Sequence, residues 1–168
     1  AGNDILTYLL TADLFTSQAL VDSIVGATGD TDVISVGTSG TAFAIANNDV
    51  WSRSAGVENI TAVANSSAVT IDLDSTAETA GIVAVDLSAG TSTTGNIIDV
   101  GEFTTAGVAM TGAATGATAL TGGAGVDTII GGSLVDTIIG AAGADVITPA
   151  AGNDILTYLL TADLFTSQ

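Results

Sequence analysis

Five aspartates stand nine residues apart toward the C-terminal end of this 168-residue chain: Asp127, Asp136, Asp145, Asp154 and Asp163. The first four each occupy the sixth place of a nine-residue unit, GGAGVDTII, GGSLVDTII, GAAGADVIT and PAAGNDILT. A lone Asp beside a Gly-rich turn reads most simply as a cap on that turn. Repeated at a fixed interval, the carboxylates repel one another unless a counter-ion lies between them. Hard divalent cations such as Ca²⁺ take several oxygen ligands from carboxylates and from the carbonyls that a Gly-rich turn exposes.

The elements that would hold such carboxylates follow from the next residues. Two positions after each Asp stands a large apolar side chain: Ile129, Ile138, Ile147, Leu156 and Phe165. Three residues alternating out, in and out make a short strand with one side chain in the core. The six residues before it make the turn, where Gly permits close backbone approach.

Ala151–Gln168 repeats Ala1–Gln18 without a difference, 150 residues apart. The chain therefore reads as one 150-residue period and the opening of the next, from tandem units of a long polypeptide or from a repeat built into a designed segment. Either origin implies a solenoid or array. Asp154 and Asp163 are the copies of Asp4 and Asp13, and Asp22 follows nine residues after Asp13. Asp32 comes ten residues later, and Ile24 and Ile34 keep the apolar place two residues on.

These nonapeptides resemble the RTX family of calcium-binding repeats, whose pattern is GGxGxDxUx with U a large apolar residue; GGAGVDTII agrees at every place. The resemblance implies a right-handed parallel β-roll with two nonapeptides per turn, and Ca²⁺ held between turns by Asp side chains and loop carbonyls. On this chain the implied side-chain ligands are Asp127, Asp136, Asp145 and Asp154, then Asp4, Asp13, Asp22, Asp32 and Asp163. The implied carbonyl donors are Gly122, Ala124, Gly131, Ser133 and Gly140. Departures are Leu134 at the fourth place, Ala141 and Ala150 at the second, Pro149 at the first, and YLLTAD with no Gly. The resemblance also implies type I secretion and a location outside the cell, at a bacterial surface or in an extracellular matrix.

Composition agrees with short strands and tight turns. Aromatics make up only 4% while 21 residues are Gly, too little bulk for thick helical packing. Eighteen acids against the single base Arg53 give a net charge of −17, which disfavours nucleic acid and anionic membranes as partners and favours divalent cations. No run is long enough to span a bilayer. The chain has no His, Cys or Lys, which removes Ser-His-Asp, thiol and Schiff-base catalysis from this segment. A non-catalytic role is expected.

The expected organisation is all-β: a β-roll continuation over 1–34, a wider β-solenoid or an inserted β-sandwich over 35–121, and an RTX-like β-roll over 122–168 whose residues 151–168 begin the next repeat. In the middle segment Asp72, Asp74, Asp86 and Asp99 read as solvated strand positions or further cation sites. Trp51 and Arg53 read as packing over a solenoid edge or as a subunit contact. Were every rung 18 residues long, one period would advance the axis by about 40 Å at roughly 4.8 Å per rung. The expected function is an extracellular, Ca²⁺-stabilised structural repeat that stacks end to end in a surface-layer lattice, fibre or adhesin stalk. Its expected partners are further copies of itself and cell-surface polysaccharide. A non-catalytic module of a secreted enzyme and a ligand-binding adhesin are the alternatives.

Overall fold

The computed structural model describes residues 2–9, 14–20, 22–26, 29–38, 40–64, 67–93 and 95–158. Two parallel sheets face one another across a narrow core. The first contains β1 (Ile5–Tyr8), β5 (Val33–Val36), β8 (Asn59–Ala62), β10 (Ala84–Asp86), β12 (Ala109–Thr111), β14 (Thr128–Ile130) and β16 (Val146–Thr148), in that order. The second contains β6 (Phe43–Ile45), β9 (Val69–Asp72), β11 (Asn96–Asp99), β13 (Thr118–Thr121), β15 (Thr137–Ile139) and β17 (Ile155–Thr157). From β5 onward the chain alternates between the sheets, so each turn of the coil adds one strand to both. This is a parallel β-solenoid. An inserted antiparallel sandwich is ruled out, because every pairing within these two sheets is parallel.

The core follows from the pleat. On the first sheet the register stacks Leu6, Ile34, Ile60, Val85, Met110, Ile129 and Ile147 in one inward column. On the second it stacks Ile45, Ile71, Ile98, Leu120, Ile138 and Leu156. The apolar place two residues after each Asp is therefore the rung's core position. Ile129 and Ile138 are fully buried, whereas Ile147 and Leu156 on the last rung are only partly covered. Full burial of one such side chain contributes about 2 kcal/mol.

Rung length changes along the axis. Thr128 pairs with Val146, 18 residues on, and Ala109 with Thr128, 19 on. Ala84 and Ala109 are 25 apart, as are Asn59 and Ala84; Val33 and Asn59 are 26 apart, and Ile5 and Val33 are 28. The eighteen-residue roll expected over residues 1–34 is replaced by a wide rung. Its extra length holds an antiparallel pair, β2 (Phe15–Thr16) with β3 (Ala19–Leu20), and β4 (Ile24–Val25), which pairs with β7 (Ser54–Ala55). The cause is bulk: Leu14, Phe15, Leu20 and Trp51 are all buried there, and Phe15 meets Trp51 edge-on at 5.1 Å. These side chains need a broader interior than the single inward residue of a nonapeptide strand. Trp51 is thus core packing within the unit, while Arg53 donates to the Leu20 carbonyl.

A short helix, α1 (Ser75–Ala80), widens the rung between β9 and β10. Asp74 caps its N-terminus, accepting from the Thr76 and Ala77 amides, and Gly81 closes it in the left-handed conformation at φ 107°. Among the described residues no helix is long and apolar enough to cross a membrane.

Candidate calcium-binding turns

The Gly-rich turns stack on the two edges of the roll. Residues 122–127 and 140–145 lie on one edge, and residues 131–136 and 149–154 on the other, because the registers superpose Thr128 on Val146 and Thr137 on Ile155. Asp127 and Asp145 therefore belong to one column of carboxylates, and Asp136 and Asp154 to a second.

Within each column the carboxylates are tied to the main chain. Asp127 accepts from the Val108 amide at 2.7 Å and from the Gly123 amide at 3.0 Å, and its own amide donates to Asp145 at 2.9 Å. Asp136 accepts from the Thr118 amide at 2.7 Å and from the Gly132 amide, and its own amide donates to Asp154 at 2.9 Å. Both Asp127 and Asp136 are completely buried, which is costly for an ion without compensation. Burial raises the pKa of Asp127, the two main-chain donors pull it down and the Asp145 charge raises it again, with a net shift upward.

The glycines at the first place of the first two units make room for oxygen. A Cβ on Gly122 would lie 2.4 Å from Asp127 Oδ2 and 2.5 Å from the Gly140 carbonyl oxygen. One on Gly131 would lie 2.2 Å from the Pro149 carbonyl oxygen and 2.7 Å from Asp136 Oδ2. On both edges, then, a carboxylate oxygen and a carbonyl oxygen of the next turn converge where a side chain is missing. Among the described residues no three acids cluster as a metal-holding group; the oxygens that converge at these two places are one carboxylate oxygen and one carbonyl oxygen. An all-oxygen set with one or two carboxylates suits Ca²⁺ and not the softer transition metals.

Residues 121–156 match the family model of the RTX calcium-binding nonapeptide repeat in four copies. They are RTX repeats. Such repeats bind Ca²⁺ and occur in proteins that are typically secreted. No curated protein and no solved structure matches the chain.

The RTX turns are of two kinds. In the turns at 122–126 and 131–135 no residue takes a positive φ, and the second-place glycines are needed for space: a Cβ on Gly132 would lie 2.1 Å from the Ala113 carbonyl oxygen. In the next two turns the second place is Ala141, at φ 64°, and Ala150, at φ 72°. There the departures from the RTX pattern sit in the left-handed region, and Gly143 and Gly152 follow at φ 135° and 144°.

The remaining sequence-predicted ligands are dispersed. Asp32 is buried and accepts from the Asp4 amide at 2.8 Å, and its own amide donates to Glu58 at 2.9 Å. Asp4, Asp32 and Glu58 thus occupy the place of Asp127 and Asp145 on earlier rungs of the first sheet. A Cβ on Gly26 would meet Asp32 Oδ2 and the Gly56 carbonyl, as one on Gly122 would meet Asp127 and Gly140. Asp22 stands apart, exposed and accepting from the Tyr8 hydroxyl at 3.1 Å. Asp13 and Asp163, with Phe165, lie outside the described residues. Ala124 and Ser133 are exposed at the turn tips.

Three residues that the nonapeptide pattern does not mark also fill the carboxylate place. Glu58 does so on the first sheet; on the second, Thr118 Oγ1 accepts from the Ala113 amide and Asn96 Oδ1 from the Val69 amide. The usable sequence signal is a polar residue at the first position of a strand or directly before it, without fixed spacing. In the middle segment Asp86 and Asp99 accept from the amides two residues on, as turn caps. Asp72 lies beside Asp99 on the neighbouring strand, and burial, then the Asp99 and Glu102 charges, raise its pKa.

Proposed function

We propose that this protein is a non-catalytic, extracellular structural repeat whose solenoid is consolidated by Ca²⁺ and stacks end to end with further copies into a fibre, a surface-layer lattice or an adhesin stalk at a bacterial surface. The observation that carries the reading is the pair of carboxylate columns at the roll edges, each backed by turn carbonyls, in a chain with 18 acids and one base. Without Ca²⁺ the columns repel and oppose closure of the roll. Millimolar Ca²⁺ outside the cell neutralises them, and its binding free energy adds to that of folding.

The reading of the chain as non-catalytic is supported by the absence of His, Cys and Lys and by the fate of the acidic residues: Asp74, the nearest acid in sequence to Asp72, is committed to capping α1. Circular dichroism of the chain in Ca²⁺ and in excess chelator tests the calcium role. A large gain of β signal with Ca²⁺ is expected, and identical spectra would refute it. Sedimentation at millimolar Ca²⁺ tests the stacking, with a persistent monomer as the contrary result.

A further inference from the structure

The duplicated segment lies in two different places in the fold. As Ile155–Thr157 it is the last strand of the second sheet, paired with β15; as Ile5–Tyr8 it is the first strand of the first sheet, paired with β5. Leu156 ends one inward column and its copy Leu6 begins the other.

The two copies also use opposite backbone edges. In the C-terminal copy the Ile155 amide donates to the Asp136 carbonyl at 2.8 Å, so this residue's polar groups face β15. In the N-terminal copy Asp4 and Tyr8 offer their carbonyls, to the Val33 amide and the Gly37 amide, both at 2.9 Å. Successive residues of a strand point their polar groups to alternate sides. Asp4 and Tyr8 correspond to Asp154 and Tyr158, so a single copy can make both sets of bonds at once. The carboxylate column agrees: Asp154 accepts from the Asp136 amide, and the amide of its copy Asp4 donates to Asp32.

We infer that the segment is one shared strand, closing one unit and opening the next, and that consecutive units are related by a half turn about the solenoid axis. The sheet that ends in β15 and β17 then runs on as the next unit's β5 and β8, and the two faces exchange at every junction. The open strand edges at this end of the solenoid, those of β16 and β17, are an interface for a second copy of this chain, whose wide rung around β5 is the occupant. The inference rests on the end-to-end stacking proposed above and specifies its geometry.

Six steps carry β1 to β16 along the first sheet, and a further half turn reaches β17, so one period takes about six and a half turns. At roughly 4.8 Å per rung the period advances about 31 Å, and the same face recurs only after about 62 Å.

The test is a chain of two units sharing one copy of the segment, held in Ca²⁺ and labelled with nitroxides. The protein has no cysteine, and Thr128 on the first sheet and Thr137 on the second are exposed, so single substitutions to Cys place the labels. Distances are read by electron–electron double resonance for two label pairs. With faces exchanged, Thr128 of the first unit lies closer to Thr137 of the second than to Thr128 of the second. Two narrow distributions in the reverse order would overturn the half turn and leave end-to-end stacking standing. Broad distributions for both pairs would overturn the stacking and the half turn together.

Discussion

The main-chain amide of Asp127 donates to the carboxylate of Asp145, 18 residues along the chain and one turn along the roll, at 2.9 Å. The same bond joins Asp136 to Asp154 and Asp32 to Glu58. Each acid therefore satisfies the amide of the rung before it, and in the proposed reading the acids of the RTX turns have a second duty, supplying charge and oxygen to Ca²⁺.

Substitutions at Asp127 separate those duties. Asp127→Ala leaves the buried Val108 and Gly123 amides without their acceptor and is expected to cost about 3 kcal/mol even in chelator. Asp127→Asn keeps an acceptor for one of the two amides and sets its NH2 against the other, while it removes the repulsion with Asp145, so its cost in chelator is smaller than that of the Ala variant, about 2 kcal/mol. Both lose part of the added stability that Ca²⁺ gives. Urea unfolding of each variant with and without Ca²⁺ checks this; an undiminished Ca²⁺ increment in both would show that Asp127 is no ligand.

Gly122→Ala and Gly131→Ala address the oxygen cradle. Each methyl group would enter the space where Asp Oδ2 meets a carbonyl of the next turn. The turn must shift, and a loss of about 2 kcal/mol with a weakened Ca²⁺ response is expected. Val126→Ala, on an exposed side chain of the same turn, is the control and should change neither. Calorimetric titration with Ca²⁺ provides the reading. Wild-type binding in the glycine variants would place the cation elsewhere.

Ala141→Gly and Ala150→Gly should act in the opposite direction. Both alanines have positive φ, which costs an L-residue about 1 kcal/mol and glycine almost nothing. Part of that gain is offset by the greater freedom of glycine in the unfolded chain. A net gain of up to roughly 1 kcal/mol is expected for each, read as a rise in thermal midpoint. A fall of similar size would show that these turns are not left-handed in solution.

Much of this was legible in the sequence at the narrow end of the solenoid, where the nonapeptide places one Asp, one core residue and one turn in every rung. Ile129 and Ile138 are buried as that pattern requires, and Asp127 and Asp136 hold the turns. The wide end was less legible, for two physical reasons. Longer rungs absorb insertions without breaking register, so the interval from Ile5 to Val33 is 28 and the beat through Asp13 and Asp22 does not mark rungs. The capping duty also needs only an acceptor, so Glu58, Asn96 and Thr118 perform it with no shared motif.

Glu78 gives the pH dependence of the wide end. Its carboxylate accepts from the amides of Thr104, Thr105 and Ala106 at 2.7–2.9 Å, pinning α1 to the loop of the next rung. Burial pushes its pKa up, but the donors of Thr104, Ala106 and Thr105 outweigh this and bring it down from 4.5 to about 2. The folded state therefore holds the ion more tightly than the unfolded chain does. The resulting stability is present above pH 4.5 and is lost as the pH falls toward 2. Because the group is partly exposed, Glu78→Gln is expected to cost only about 1 kcal/mol at pH 7 after solvent screening. The gap between parent and variant should close as the pH falls from 4.5 to 2, measured by urea midpoints in chelator so that Ca²⁺ release does not contribute. A gap that stays constant over that range would mean that the contact does not depend on the Glu78 charge.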